Sequence, residues 1–104
     1  MNLKNRMKKT YYFDDWFDAL KDNRAKNRIR ARIYLARKDN FGDCKWNIKE
    51  GVSEMRIHYG PGYRLYFRQR GERLYFLLIG GTKKRQQQDL DRAVEIKREL
   101  EGGA

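Results

Sequence analysis

The stretch Val52-Ser53-Glu54-Met55-Arg56-Ile57-His58-Tyr59-Gly60-Pro61-Gly62-Tyr63-Arg64-Leu65-Tyr66-Phe67-Arg68 alternates on both sides of a glycine-proline-glycine break. Met55, Ile57 and Tyr59 fall on one side of a period-2 repeat and Glu54, Arg56 and His58 on the other, the pattern of a half-buried strand. Beyond the break, Tyr63, Leu65 and Phe67 oppose Arg64, Tyr66 and Arg68 in the same way. Glycine supplies positive φ and proline fixes its own, so the triplet reads as the turn of an antiparallel hairpin. If the turn holds those three residues, Tyr59 pairs with Tyr63, His58 faces Arg64 and Arg56 faces Tyr66. Such opposed side chains lie about 4.5–5.5 Å apart at Cβ, so these four residues are expected to form one patch. Arginines crowded beside a histidine repel one another unless an anion fills the gap, so the patch is a candidate phosphate site; a solvated sheet face is the plain alternative.

Working outward, Gln69 to Glu72 reads as a second turn. Leu74-Tyr75-Phe76-Leu77-Leu78-Ile79 is apolar on both faces, as a central strand is. Cys44, Trp46 and Ile48 predict a short strand ended by Glu50-Gly51. Upstream the period becomes helical. Phe13, Trp16, Phe17 and Leu20 fall at i, i+3, i+4 and i+7 behind Thr10 as N-cap. After the polar break Lys21-Asp22-Asn23, a second helix over 24–37 carries Ala25, Ile29, Ile33 and Ala36 on one stripe, and so short a connection predicts a helical hairpin. A last helix over 86–100 carries Leu90, Ala93, Val94 and Leu100, and residues 3–9 are expected to supply an edge strand. The sum is an α+β domain: an antiparallel β-sheet packed against an N-terminal helical hairpin and a C-terminal helix.

With 104 residues the chain has room for a single domain, taken as 1–104. Twenty-five Lys plus Arg against 14 Asp plus Glu give a formal charge of +11. A charge excess of this kind calls for a polyanionic partner, nucleic acid before membrane surface. No apolar run approaches the roughly 18 residues of a membrane span, and no h-region follows the basic N-terminus, so a cytoplasmic protein is expected. The single Cys44 excludes an internal disulfide and a cysteine-based zinc site, and no carboxylate cluster suggests a two-metal centre.

The positive charge is unevenly placed. Arg24, Lys26, Arg28, Arg30, Arg32, Arg37 and Lys38 follow one another with no acid between, and five arginines lie between Arg56 and Arg73 against Glu72 alone. Lys83-Lys84-Arg85 form a further cluster after Gly80-Gly81, where first-turn amides of the last helix favour negative charge. Its order of residues is wrong for a Walker A loop. The loop reaches the hairpin turn if the strand lengths match. Charge reversal at Arg28 and Arg32, on the second helix, is expected to weaken a partner complex more than the fold.

The run Glu54-Met55-Arg56-Ile57-His58-Tyr59-Gly60-Pro61-Gly62-Tyr63-Arg64-Leu65-Tyr66-Phe67, followed by Leu77-Leu78-Ile79-Gly80-Gly81-Thr82-Lys83, Gln86 and Asp89, resembles the HigB-like addiction module killer proteins of the RelE/ParE toxin superfamily. The resemblance extends to the helix over 10–20, the Gly42-Asp43 loop and the Gly51-Val52-Ser53-Glu54 strand entry, and so covers nearly the whole chain. It implies a RelE-like fold and the toxin of a type II toxin–antitoxin system. The activity implied is a metal-independent, ribosome-dependent mRNA endonuclease without cofactors, bound by a small helix-turn-helix antitoxin in a hetero-oligomer. Arg64, Arg56, His58 and Lys83 are candidate catalytic residues: a neutral His58, chosen for its chemistry and not by the resemblance, or a lysine depressed in pKa by its cationic neighbours takes the 2′-hydroxyl proton, and the cations stabilise the charged phosphorane. Lys84, Arg85, Tyr66 and Arg68 are candidate RNA- or phosphate-binding residues, and Arg28 and Arg32 candidates for docking antitoxin or ribosome. The chain lacks the tyrosine that RelE carries in its C-terminal segment. Two alternatives stand beside this: a ParE-like DNA gyrase inhibitor without nuclease activity, and a non-enzymatic nucleic-acid-binding module.

Overall fold

The computed structural model describes residues 4–102. Its elements run β1 (Arg6–Lys9), α1 (Tyr11–Ala19), α2 (Asn23–Arg37), β2 (Cys44–Lys49), β3 (Val52–Ile57), β4 (Tyr63–Gln69), β5 (Leu74–Thr82), a 3-10 turn (Lys83–Arg85) and α3 (Gln86–Leu100). The five strands make one sheet in the order β1-β5-β4-β3-β2. The sheet is mixed and not purely antiparallel, because β1 runs parallel to β5 from Arg6 opposite Leu74 to Lys9 opposite Leu77. The expected edge strand is thus present over Arg6–Lys9, while Leu3, where it was expected to begin, lies outside the described residues.

The two helical segments and the last helix take opposite faces of the sheet. Phe13, Ala25, Ile29, Ile33 and Ala36 pack with Met55, Ile57, Leu65, Phe67 and Leu77 on one face. Ala93, Val94 and Ile96 pack with Val52, Tyr66 and Leu78 on the other. This is why β5 is apolar on both sides: it is covered twice. Thr10 caps α1 by accepting from the Phe13 amide at 3.0 Å, and its hydroxyl donates to Leu78 O at 2.7 Å, fastening the helix to the central strand. Asp22, read from sequence as part of a break, is the N-cap of α2 and accepts from the Arg24 and Ala25 amides. α1 and α2 meet at Phe17, whose ring lies under Lys26 and Arg30.

The β3–β4 register differs from expectation. Ile57 pairs with Tyr63 and Arg56 with Arg64, so five residues connect the strands. Gly62 N donates to Tyr59 O, and with Gly60 at φ 56° and Gly62 at φ 78° the backbone turns before Tyr59 can pair across. The slip along β3 is two residues. Each side chain therefore keeps its predicted face and changes its neighbour.

At the end of β5, adjacent glycines serve opposite faces. A Cβ on Gly80 would stand 2.2 Å from the Trp16 ring, and one on Gly81 2.0 Å from an Asp89 carboxylate oxygen. Both side chains lie directly on the bare backbone.

Candidate functional site

The end of the sheet at the β3–β4 turn gathers most of the predicted residues. Thr82 pairs with Tyr63, and the Lys83 amide donates to Gly62 O at 2.8 Å, so the strand lengths do match and the basic 3-10 turn sits against the hairpin turn. Lys83, Lys84 and Arg85 are exposed on this rim. Among the described residues no carboxylate lies within 4 Å of either lysine, while Arg85 is 3.7 Å from Asp89. Burial raises the Asp89 carboxyl above its usual range, with a hydrogen bond to the Thr82 backbone pulling it back.

One step inward, on the α3 face, Arg56 stands opposite Arg64 and Arg64 opposite Gly81. Directly opposed arginines are unfavourable. The anion that resolves the conflict is internal. Glu54, fully buried, accepts from Arg64 Nη1 at 2.9 Å and Arg56 Nε at 3.0 Å through one oxygen, and from Gln86 Nε2 at 3.1 Å through the other. The crowding that pointed to an external phosphate is therefore answered by the chain itself. Glu54 begins the run that carries the family resemblance but was not among the candidate site residues, although it is the one acid on a strand face shared with two arginines. The cluster keeps one net positive charge, and Arg64 Nε is buried without a hydrogen-bond partner. An unsatisfied buried donor is costly, and it leaves part of the Arg64 charge uncompensated behind the rim.

Tyr66 is not available to ligand. It is fully buried, its hydroxyl directed at Gln86 O at 3.4 Å, and burial followed by the Glu54 charge pushes its phenol well above the ordinary value.

His58 does not face Arg64. It lies past the end of β3, its side chain 76% exposed, with Nε2 2.6 Å from the Asp43 carboxylate. That contact holds the Asp43 carboxyl below its usual range. Asp43 belongs to the loop before β2, and its backbone oxygen accepts from the Arg56 amide at 2.9 Å. The dyad was hidden in the sequence because its members are joined only by strand pairing. When Nε2 donates to the carboxylate, Nδ1 is the lone-pair nitrogen of the neutral ring.

The remaining predicted residues lie elsewhere. Arg68 is four residues further along β4, roughly 13 Å from Arg64 by strand rise, and is paired with Glu101 at 2.6 Å. Arg28 is exposed, its guanidinium 4.5 Å from the centre of the Tyr59 ring. Arg32 is engaged within the fold: its guanidinium donates to the carbonyls of Arg56, Phe41 and Asp43. It is the pin between α2 and the loop that carries Asp43, so its reversal strikes the fold.

Among the described residues, no helix is long and apolar enough to cross a membrane. No family model matches the chain. An uncharacterized protein of Haemophilus influenzae is 41% identical to it over 95 residues, covering 91% of this chain and 95% of that one. Identity at that level over almost the full length of both implies a common fold, and the chain belongs to the same family as this Haemophilus influenzae protein.

Proposed function

We propose that the chain is a RelE-like toxin of a type II toxin–antitoxin pair and acts as a metal-independent mRNA endonuclease on the ribosome. The observation that carries this reading is the end of the sheet where Arg64, nine-tenths buried with an unsatisfied Nε, lies just behind the open Lys83–Lys84 rim. Such an arrangement suits a phosphodiester: a fixed positive charge behind, mobile ones in front. The residue motif running from Glu54 to Phe67 and on to Asp89 supports the toxin assignment.

In the proposed reaction the ribose 2′-oxygen attacks the adjacent phosphorus, the bond to the 5′-oxygen breaks as that oxygen takes a proton from water, and a 2′,3′-cyclic phosphate and a 5′-hydroxyl result. The neutral His58 ring takes the 2′-hydroxyl proton, and Asp43 orients the ring and stabilises its charged form. Arg56 and Arg64, fixed by Glu54, and the free ammonium of Lys83 stabilise the added negative charge of the transition state. Lys84 and Arg85 hold flanking phosphates, and an antitoxin would hold the toxin inactive, with Arg28 within its docking surface.

The test is primer extension on mRNA from cells expressing the chain, repeated with purified protein and ribosomes. Ribosome-dependent cuts are expected, reduced about 10²–10⁴-fold in His58→Ala and in Lys83→Ala/Lys84→Ala. Growth arrest with double-strand DNA breaks and no mRNA cuts would assign the protein to gyrase inhibition. Salt-dependent RNA affinity without toxicity would leave only a binding module.

A further inference from the structure

On the face opposite Arg64, a groove of about 160 Å³ runs between α2 and the outer edge of β1, lined by Lys9, Arg30, Ile33, Tyr34 and Arg37. Ile33 is almost wholly buried, whereas Tyr34 is 55% exposed, so the groove combines an apolar floor with a basic rim. No carboxylate lies within 4 Å of Lys9, Arg30 or Arg37 among the described residues, and Lys38 adds its ammonium over the Tyr34 ring at 4.6 Å.

Beside this groove, among the described residues, no strand pairs with the outer edge of β1. The amides of Arg6 and Thr10 donate to Arg73 O and Leu77 O of the β5 side. Along a parallel strand both backbone groups of a residue point the same way and successive residues alternate, so the N–H and C=O of Met7 and Lys9 point outward. An open edge is a template for another strand. The Arg6, Lys8 and Lys9 charges keep a second copy of the same edge away, and the same charges favour a strand of opposite sign.

From this juxtaposition we propose that the β1 edge and the α2 groove together dock an extended, acidic segment of a partner polypeptide. The segment adds a sixth strand beside β1. Its backbone pairs with Met7 and Lys9, its carboxylates lie against Lys9, Arg30 and Arg37, and an alternate apolar side chain enters over Ile33 and against Tyr34. A nucleic acid would use the charges and leave the outward backbone groups and the apolar floor unused. The surface stands apart from the proposed nuclease site: it lies on the other face and pairs with the start of β5, not its end.

The experiment uses the full chain and a fluorescent octapeptide alternating Glu and Val, with the Lys-for-Glu peptide and an eight-nucleotide oligouridylate as comparisons. Saturable binding of the acidic peptide is expected, weakened at least tenfold in Lys9→Glu/Arg37→Glu and unchanged in Lys83→Ala/Lys84→Ala. Hydrogen exchange on the wild-type protein should show the Met7 and Lys9 amides protected by the peptide, which tests the strand without any variant. Absence of saturable binding would overturn the proposal. So would loss of binding in the Lys83/Lys84 variant alone, or displacement of the peptide from the groove by oligouridylate. None of these readouts depends on RNA cleavage, so the two readings fail separately.

Discussion

α2 and α3 are both fifteen-residue helices on opposite faces of one sheet, and they use charge in opposite ways. α2 has six cations and no acid; α3 has three cations and four acids. Around α3 nearly every charge is spent within the molecule: Asp91 on Lys49, Arg98 on Glu50, Arg92 on Glu95, and Glu99 on the Tyr12 hydroxyl. Around α2, among the described residues, no ion pair forms. Its cations lie on aromatic rings, on backbone carbonyls or in solvent. Charge near α3 therefore belongs to the fold, while charge on α2 is left for something else.

The sharpest way to break this contrast is Glu54→Ala. It leaves Arg64 buried without its anion and is expected to cost about 3–5 kcal/mol in urea unfolding. Arg64→Ala leaves the buried Glu54 only Arg56 and Gln86 as partners and so disturbs the fold as well, and for that reason its loss of activity would say little about catalysis. Next is Arg32→Ala, the exception on α2, which removes charged hydrogen bonds to three carbonyls and should cost about 2–3 kcal/mol; Arg28→Ala should cost no more than about 1 kcal/mol. Equal effects at the two positions would erase the distinction between a pin and a surface cation.

Charge reversals carry a smaller effect of opposite sign. Arg98→Glu near the C-terminus of α3 loses the Glu50 pair and opposes the helix dipole, and should lower stability by about 1 kcal/mol. Arg24→Glu in the first turn of α2 has no pair to lose and suits the dipole, so stability should hold or rise by a few tenths of a kcal/mol. The smallest effect is that of acid. The Lys49 and His58 contacts depress the Asp91 and Asp43 carboxyls, so the stability they lend is complete above the unfolded value near about 3.9 and fades as pH falls through the lower folded values. Unfolding midpoints between pH 5 and 2 should fall less steeply in Asp91→Asn; no such carboxylate exists on α2 to remove.

Much of this was legible in the sequence because it depends on period. The buried stripe Ala25, Ile29, Ile33 and Ala36, the Thr10 cap and the bounds of α3 all follow from spacing. Ile96, buried on the same helix, went unnoticed. Faces were readable and neighbours were not: period 2 survives a two-residue slip, so Arg56 kept its side of β3 while exchanging Tyr66 for Arg64, and His58 fell beyond the strand. The direction of β1 was illegible, since four residues carry no sign of parallel pairing. Glu54 and Asp43, both within the family resemblance, escaped as site residues for a shared reason. Each is defined by what tertiary pairing brings to it, Arg64 and Gln86 in one case and His58 in the other.

Gly80 and Gly81 bear on how such a protein can diversify. With an indole against one face and a carboxylate against the other, the sheet there is a single peptide thick, and any heavier residue must displace Trp16 or Asp89. A mutational scan should find this pair intolerant beside the permissive, exposed Lys83, Lys84 and Arg85. New specificity at this end of the molecule then enters through the two turns, by substitution or insertion, while the strand that holds them apart stays invariant.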